Sequence, residues 1–158
     1  MTNVFAGSEI VELGIQIEKN GLDFYDALTA KSKDKKAKGI FEFLAGEEEK
    51  HISVFKKILE SVHRYEPQEA YPGEYFAYMN ALASDYVFTK KDAGKEIARK
   101  IKTDKEAVDV GIKHEKDSIV FYEGMKKAVP EDEVGLVGEV LLQEQGHLSK
   151  LMDLKKNM

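Results

Sequence analysis

The sequence predicts an all-α fold: four long helices in a bundle, paired as two helical hairpins and joined by a long crossover containing short helices. Three observations predict it. Apolar residues recur at helical spacing through four long segments. The three prolines, Pro67, Pro72 and Pro130, fall where those segments end. Two motifs from the first half of the chain return in the second half at nearly the same offset. The chain's 158 residues suit a single domain, 1–158, long enough to bury a core.

The first helix is expected over about 9–30 and the second over about 34–63, because both stretches lack proline and keep the helical period. The polar break Lys31-Ser32-Lys33-Asp34 between them is short, which favours antiparallel neighbours. The lysines of 31–38 read as a solvated helix start. Pro67 and Pro72 end the second helix. The stretch from about 64 to 102 is too long for a tight turn. It holds an aromatic segment, Glu74–Phe88, and a polar helical piece near Lys91–Lys100, so it reads as a crossover with one or two short helices. The third helix is expected over about 104–129, opened by Thr103-Asp104-Lys105-Glu106 as a capping box. Pro130 suits the first turn of a fourth helix over about 131–156. Two hairpins joined by one long crossover make the ferritin-like layout.

The internal repeat supports this order. Glu18-Lys-Asn-Gly-Leu-Asp-Phe-Tyr25 matches Glu115-Lys-Asp-Ser-Ile-Val-Phe-Tyr122 at an offset of 97. Glu47-Glu-Glu-Lys-His51 matches Gln143-Glu-Gln-Gly-His147 at an offset of 96. The two hairpins read as copies of one unit, related by a pseudo-two-fold axis.

Composition removes several function classes. A net charge of −5, with lysines interspersed among acids, is not the footprint of a nucleic-acid binder. The chain has no cysteine, which excludes disulfides, thiolate zinc sites and iron–sulfur or rubredoxin-type centres within it. Any electron donor must then be a separate molecule. No run of eighteen apolar residues occurs, so no membrane span is expected. Residues 1–8 do not look like a signal peptide, and the cytoplasm is the expected compartment.

On a heptad grid each long helix has one core-facing stripe. The first carries Val11, Gly14, Glu18, Gly21, Tyr25 and Leu28; the second Phe41, Leu44, Glu48, His51, Phe55, Ile58 and Val62. The third carries Val108, Gly111, Glu115, Ser118, Tyr122 and Met125; the fourth Val137, Val140, Glu144, His147, Leu151 and Leu154. Near the middle of these stripes stand Glu18, Glu48, His51, Glu115, Glu144 and His147. Ionised carboxylates in a dry core are costly unless paired or metal-bound, and crowding them raises their pKa values. Two divalent ions would cancel four carboxylates. Glu48/His51 and Glu144/His147 are i, i+3 pairs that leave one helix face together, and Glu18 and Glu115 bridge or complete the set. Carboxylate and imidazole ligands without thiolate suit iron or manganese, with iron favoured by availability and mixed metals open.

With those residues in that order on four predicted helices, the chain resembles rubrerythrin-like members of the ferritin-like diiron-carboxylate superfamily over nearly its whole length. The resemblance implies two iron ions, reaction with hydrogen peroxide or dioxygen, and an external electron donor, rubredoxin-like or other. The chain departs from rubrerythrins proper in two places. It lacks their cysteine-bearing rubredoxin domain. Ser118 also stands where they carry a further glutamate, three residues after the third-helix ligand, that exchanges during peroxide reduction.

Other residues carry two readings each. Tyr25 and Tyr122 lie seven residues after a candidate ligand. They are candidates for hydrogen bonds that orient a carboxylate, or for an electron relay; equally, they are aromatic filling of the core. Gly14 and Gly111 read as close helix packing, Gly21 and Ser118 as room at the site. His63 reads as a surface residue, and His114 points about 100° away from Glu115 around the helix. Glu47, Glu49 and Glu123 read as solvated. The aromatic group Tyr71, Tyr75, Phe76, Tyr78, Tyr86 and Phe88 covers a bundle face or forms a subunit contact, and a homodimer is expected. Three functions fit these features: a two-metal oxidoreductase, a protein that oxidises iron for storage or transfer, and a bundle in which metal only holds the helices together.

Overall fold

The computed structural model describes residues 7–64 and 73–158. Among the described residues six α-helices run in the order α1 (Gly7–Lys31), α2 (Lys35–Arg64), α3 (Gly73–Asp85), α4 (Ala93–Lys100), α5 (Asp104–Met125) and α6 (Val134–Lys156). Short 3-10 turns at Val87–Thr89 and Glu131–Glu133 join them. The four long helices α1, α2, α5 and α6 form a ferritin-like bundle. α1 packs chiefly on α2, and α5 on α6. α3, the first 3-10 turn and α4 belong to the crossover, which lies along α1 and α5.

Local chemistry sets the helix ends. The Asp34 carboxylate accepts from the Ala37 amide at 3.0 Å, capping α2. At the start of α5 the Thr103 hydroxyl accepts from the Glu106 amide at 3.1 Å. Glu106 answers by accepting from Lys102, one residue earlier than in the standard reciprocal box. The third long helix stops at Met125, short of the expected 129, and the fourth is not helical at Pro130. A residue before proline is disfavoured in the helical region, so the chain leaves the helix ahead of Val129. Pro130 is extended (ψ 149°), and Glu131–Glu133 forms a 3-10 turn before α6 begins.

Every residue of the four stripes is buried. A second apolar stripe on α1, Ile10, Ile17 and Phe24, is buried as well. Buried Asn20 fastens the crossover onto α1. Its side-chain amide donates to the carbonyls of Phe88 at 2.5 Å and Lys90 at 2.6 Å, and its Oδ1 accepts from the Gly94 amide at 3.2 Å. The approach requires glycine, since a Cβ at Gly94 would lie 2.0 Å from the Asn20 carbonyl oxygen.

The aromatic group divides. Phe76, Tyr86 and Phe88 are buried, and the Tyr75 hydroxyl donates to the Gly124 carbonyl at 2.6 Å. Tyr78 is half exposed. Tyr71 lies outside the described residues.

Candidate metal centre

The bundle brings all six candidate ligands to one place. Glu18, Glu48, Glu115 and Glu144 are 0% exposed, His51 is 1% and His147 is 2%. Their ligand atoms form two groups, Glu18/Glu48/His51/Glu144 and Glu48/Glu115/Glu144/His147, each with its atoms within 4.8 Å of one another. Glu48 and Glu144 belong to both groups. Glu18 and Glu115 each belong to one, so they stand as completing positions and the two glutamates of the Glu-x-x-His pairs as the shared ones.

The repeat is visible in the hydrogen bonds, which cross between hairpins. Tyr25 of the first hairpin donates to Glu115 of the second at 2.8 Å. Tyr122 of the second donates to Glu18 of the first, also at 2.8 Å. Both tyrosines are fully buried, and burial, with the nearby carboxylate charges, pushes their hydroxyl pKa values well above 10. They stay protonated and act as donors. The histidines cross in the same way. His51 Nε2 meets Gln143 Oε1 at 2.6 Å, and His147 Nε2 lies 3.6 Å from Glu47 Oε1. In both rings Nδ1 faces the carboxylates. His51 Nδ1 lies 2.8 Å from Glu144 and 3.3 Å from Glu18; His147 Nδ1 lies 3.8 Å from Glu115.

Three sequence readings change here. Glu47 is not fully solvated: its side chain is 16% exposed and faces His147. The residue before each shared glutamate thus faces the other hairpin's histidine, through a hydrogen bond from His51 to Gln143 and at 3.6 Å between His147 and Glu47. His114 is not turned away from the site. It is 2% exposed, and its Nε2 lies 3.4 Å from Glu48 Oε1. The rotation of 100° from Glu115 brings it against α2 instead. Tyr86, expected only to cover a face or a contact, joins its hydroxyl to His114 Nδ1. Glu49 and Glu123 are exposed, as expected. The side chain of His63 lies outside the described residues. Gly21 is needed for space, since a Cβ there would sit 2.8 Å from both Glu48 Oε2 and His114 Nε2. Gly14 and Gly111 pack against Met125 and against Leu151 and Tyr25.

The chemistry of the donor set asks for cations. Eight buried side-chain atoms among the described residues have no hydrogen-bond partner, and all eight belong to the six candidate ligands. His51 Nδ1 is one of them, because its short approaches to carboxylates are not in hydrogen-bond geometry. At about 1–3 kcal/mol for each unmet buried group, the cost rivals the about 5–15 kcal/mol net stability of a typical domain. Carboxylate crowding acts in the same direction. Burial first, and the Glu144 charge second, raise Glu115 from 4.5 to about 7. Cations set among these atoms would meet the lone pairs and the charge together, so the residues fit a metal pair.

Outside the cluster a cleft of about 290 Å³ runs between the crossover and α5. Tyr86, Phe88, Ile97, Val110, Lys113 and His114 line it, and none of the six candidate ligands does.

A ferritin-like bundle whose core holds duplicated glutamate and histidine clusters defines the class of protein. The sequence matches the Rubrerythrin family over residues 9–155, and the chain belongs to that family. Among solved structures it is similar to a Thermotoga maritima protein provisionally described as a ferritin-like diiron-carboxylate protein. The two are 27% identical, with a TM-score of 0.73, over 99% of this chain and 98% of that one. No match arises among curated proteins. Among the described residues no helix is long and apolar enough to cross a membrane.

Proposed function

We propose that the protein is a two-metal carboxylate oxidoreductase, with iron as the metal, that reduces hydrogen peroxide or dioxygen using electrons from a separate donor. The observation that carries this reading is the pair of ligand groups sharing Glu48 and Glu144 in a core closed to solvent. Glu18 and His51 would complete one ion's ligands, Glu115 and His147 the other's. The Thermotoga protein's description as a diiron-carboxylate protein supports iron. When bound, two ferrous ions supply one electron each, so that peroxide taking up two electrons and two protons leaves as two waters.

The chain's own groups have defined tasks. Tyr25 and Tyr122 hold the terminal carboxylates Glu115 and Glu18 through protonated hydroxyls. Gln143 holds the outer nitrogen of His51 by a hydrogen bond and the Glu47 carboxylate stands 3.6 Å from that of His147, which leaves Nδ1 of each ring for the ion. In the metal-free protein burial and the Glu144 charge raise Glu115 to about 7, so a cation bound beside it would displace its proton. Apolar packing above and below, from Phe41 and Leu44 to Phe55 and Ile58, keeps bulk water out. The 158 residues hold no cysteine and so no iron–sulfur or rubredoxin-type centre, which supports assigning re-reduction to a separate donor.

Anaerobic loading with Fe²⁺, then mixing with peroxide or dioxygen under stopped-flow absorbance, tests the proposal. Two irons per chain that oxidise once and cycle only with added donor are expected. Continued oxidation of many irons per chain would point to iron storage or transfer. Inertness to both oxidants, with a metal-dependent rise in melting temperature, would point to a structural metal.

A further inference from the structure

His114 breaks the repeat. On α1 the second buried stripe is Ile10, Ile17 and Phe24; its copy on α5 is Ala107, His114 and Phe121. All six are buried, and only His114 is polar. Its Nε2 faces Glu48 Oε1 at 3.4 Å while the Tyr86 hydroxyl meets Nδ1. Tyr86 also lies 2.9 Å from the His114 carbonyl and 2.9 Å from Ser118 Oγ. Ser118 in turn donates to the His114 carbonyl at 2.8 Å. The second shared glutamate has no such support. The repeat places Ile17 where a partner of Glu144 would stand, and neither Glu144 oxygen has a hydrogen-bond partner.

We propose that His114 is a positioning residue that holds Glu48 as a shared carboxylate, with Tyr86 setting its ring, a support for which the repeat gives Glu144 no counterpart. The inference rests on the two-metal reading given above. The tautomer follows from charge. If Tyr86 donates to Nδ1, the ring proton sits on Nε2 and points at the carboxylate; the other tautomer would aim a lone pair at an anion. The hydrogen bond uses one lone pair of Glu48 Oε1 and leaves the other, together with Oε2, for the ions. Tyr86 is itself placed by the crossover that Asn20 pins to α1. The crossover thereby reaches one hairpin's glutamate and not the other's.

Titration with Co²⁺, followed by visible absorption and bound-metal analysis, separates the two claims. The wild-type protein should bind two Co²⁺ per chain; binding none would overturn the two-metal reading itself. His114→Phe should bind at least one Co²⁺ about 10-fold more weakly, with an altered visible spectrum. His114→Gln, whose amide can still donate toward Glu48, should recover most of the affinity. Tyr86→Phe, which only removes a hydroxyl, should shift the spectrum in the same direction by a smaller amount. Two-metal binding in the wild type with unchanged affinity and spectrum in His114→Phe overturns the positioning role alone. Equal losses in His114→Phe and His114→Gln overturn it too, because the ring would then only fill space. If His114→Phe does not fold, Tyr86→Phe decides, and a wild-type spectrum and affinity there overturn the proposal.

Discussion

The two hairpins agree closely in their inner layer and part company just outside it. Glu18 corresponds to Glu115, Glu48 to Glu144, His51 to His147 and Tyr25 to Tyr122, and the two tyrosine–glutamate bonds have the same length, 2.8 Å. One layer out, Gln143 corresponds to Glu47, Ser118 to Gly21 and His114 to Ile17 in the repeat. The crossover adds Tyr86 on one side only. Duplication thus accounts for where two ions would sit, and the crossover accounts for why the two halves need not behave alike. The six candidate ligands keep the symmetric pattern; the groups around them differ.

The sharpest break of the comparison comes from the two Glu-x-x-His pairs. Glu48→Ala, Glu144→Ala, His51→Ala and His147→Ala should each reduce bound metal to one ion or none. Elemental analysis after dialysis measures this, and two ions retained in any of these variants would remove that residue from the ligand set.

Protonation comes next in size. Glu115 is raised from 4.5 to about 7, so its contribution to stability is full below 4.5 and lost as pH rises through 7. Burial pushes His51 down, but the Glu18 and Glu144 carboxylates outweigh it and raise the ring from 6.5 to about 11. Its contribution is full below 6.5 and lost as pH rises through 11. Both groups therefore make the metal-free protein less stable toward alkaline pH, and both must release a proton to bind an ion. Melting temperatures with and without chelator should diverge as pH rises from about 5 to about 8, where the metal-bound form gains most. A gap that narrows over that range would contradict the assignment.

Tyr25→Phe and Tyr122→Phe sharpen the symmetry. Each removes one hydrogen bond to a buried carboxylate, an effect of about 1.5–3 kcal/mol on the metal-bound protein. Denaturant unfolding should give matched losses for the two. A large loss in one alone would mean that the inner layer is less symmetric than its distances.

The smallest effect belongs to Glu47. Burial alone would raise its pKa, but the hydrogen bond and charge of Lys50 bring it below the ordinary value, so it faces His147 as an anion. Glu47→Gln makes it match Gln143 in the other hairpin. Affinity for the ion at His147 should fall by no more than about 10-fold, as read by metal titration.

Much of this centre is legible in the chain. Heptad spacing names the stripes, and the duplicated Glu-x-x-His motif names the candidate ligands, because charged residues on an otherwise apolar stripe are costly unless paired or metal-bound. His114 escapes that grid, since it lies on a neighbouring stripe that becomes core only when α2 and the crossover cover it. The repeat contains a signal for it: Ile10, Ile17 and Phe24 are all apolar, and their copy is broken by a single histidine. Tyr86 and Asn20 carry no comparable mark. Their roles depend on how the crossover folds back over α1 and α5, which no periodicity encodes. Helix ends near Pro130 were partly legible, but whether a proline opens an α-helix or a 3-10 turn depends on the residues packed around it.

Anomalous scattering from crystals grown with Fe²⁺ under anaerobic conditions tests the central claim most directly. Two peaks about 3.5–4 Å apart are expected, with Glu48 and Glu144 between them, Glu18 and His51 on one, and Glu115 and His147 on the other. A single peak, or metal bound only outside these six side chains, would contradict it.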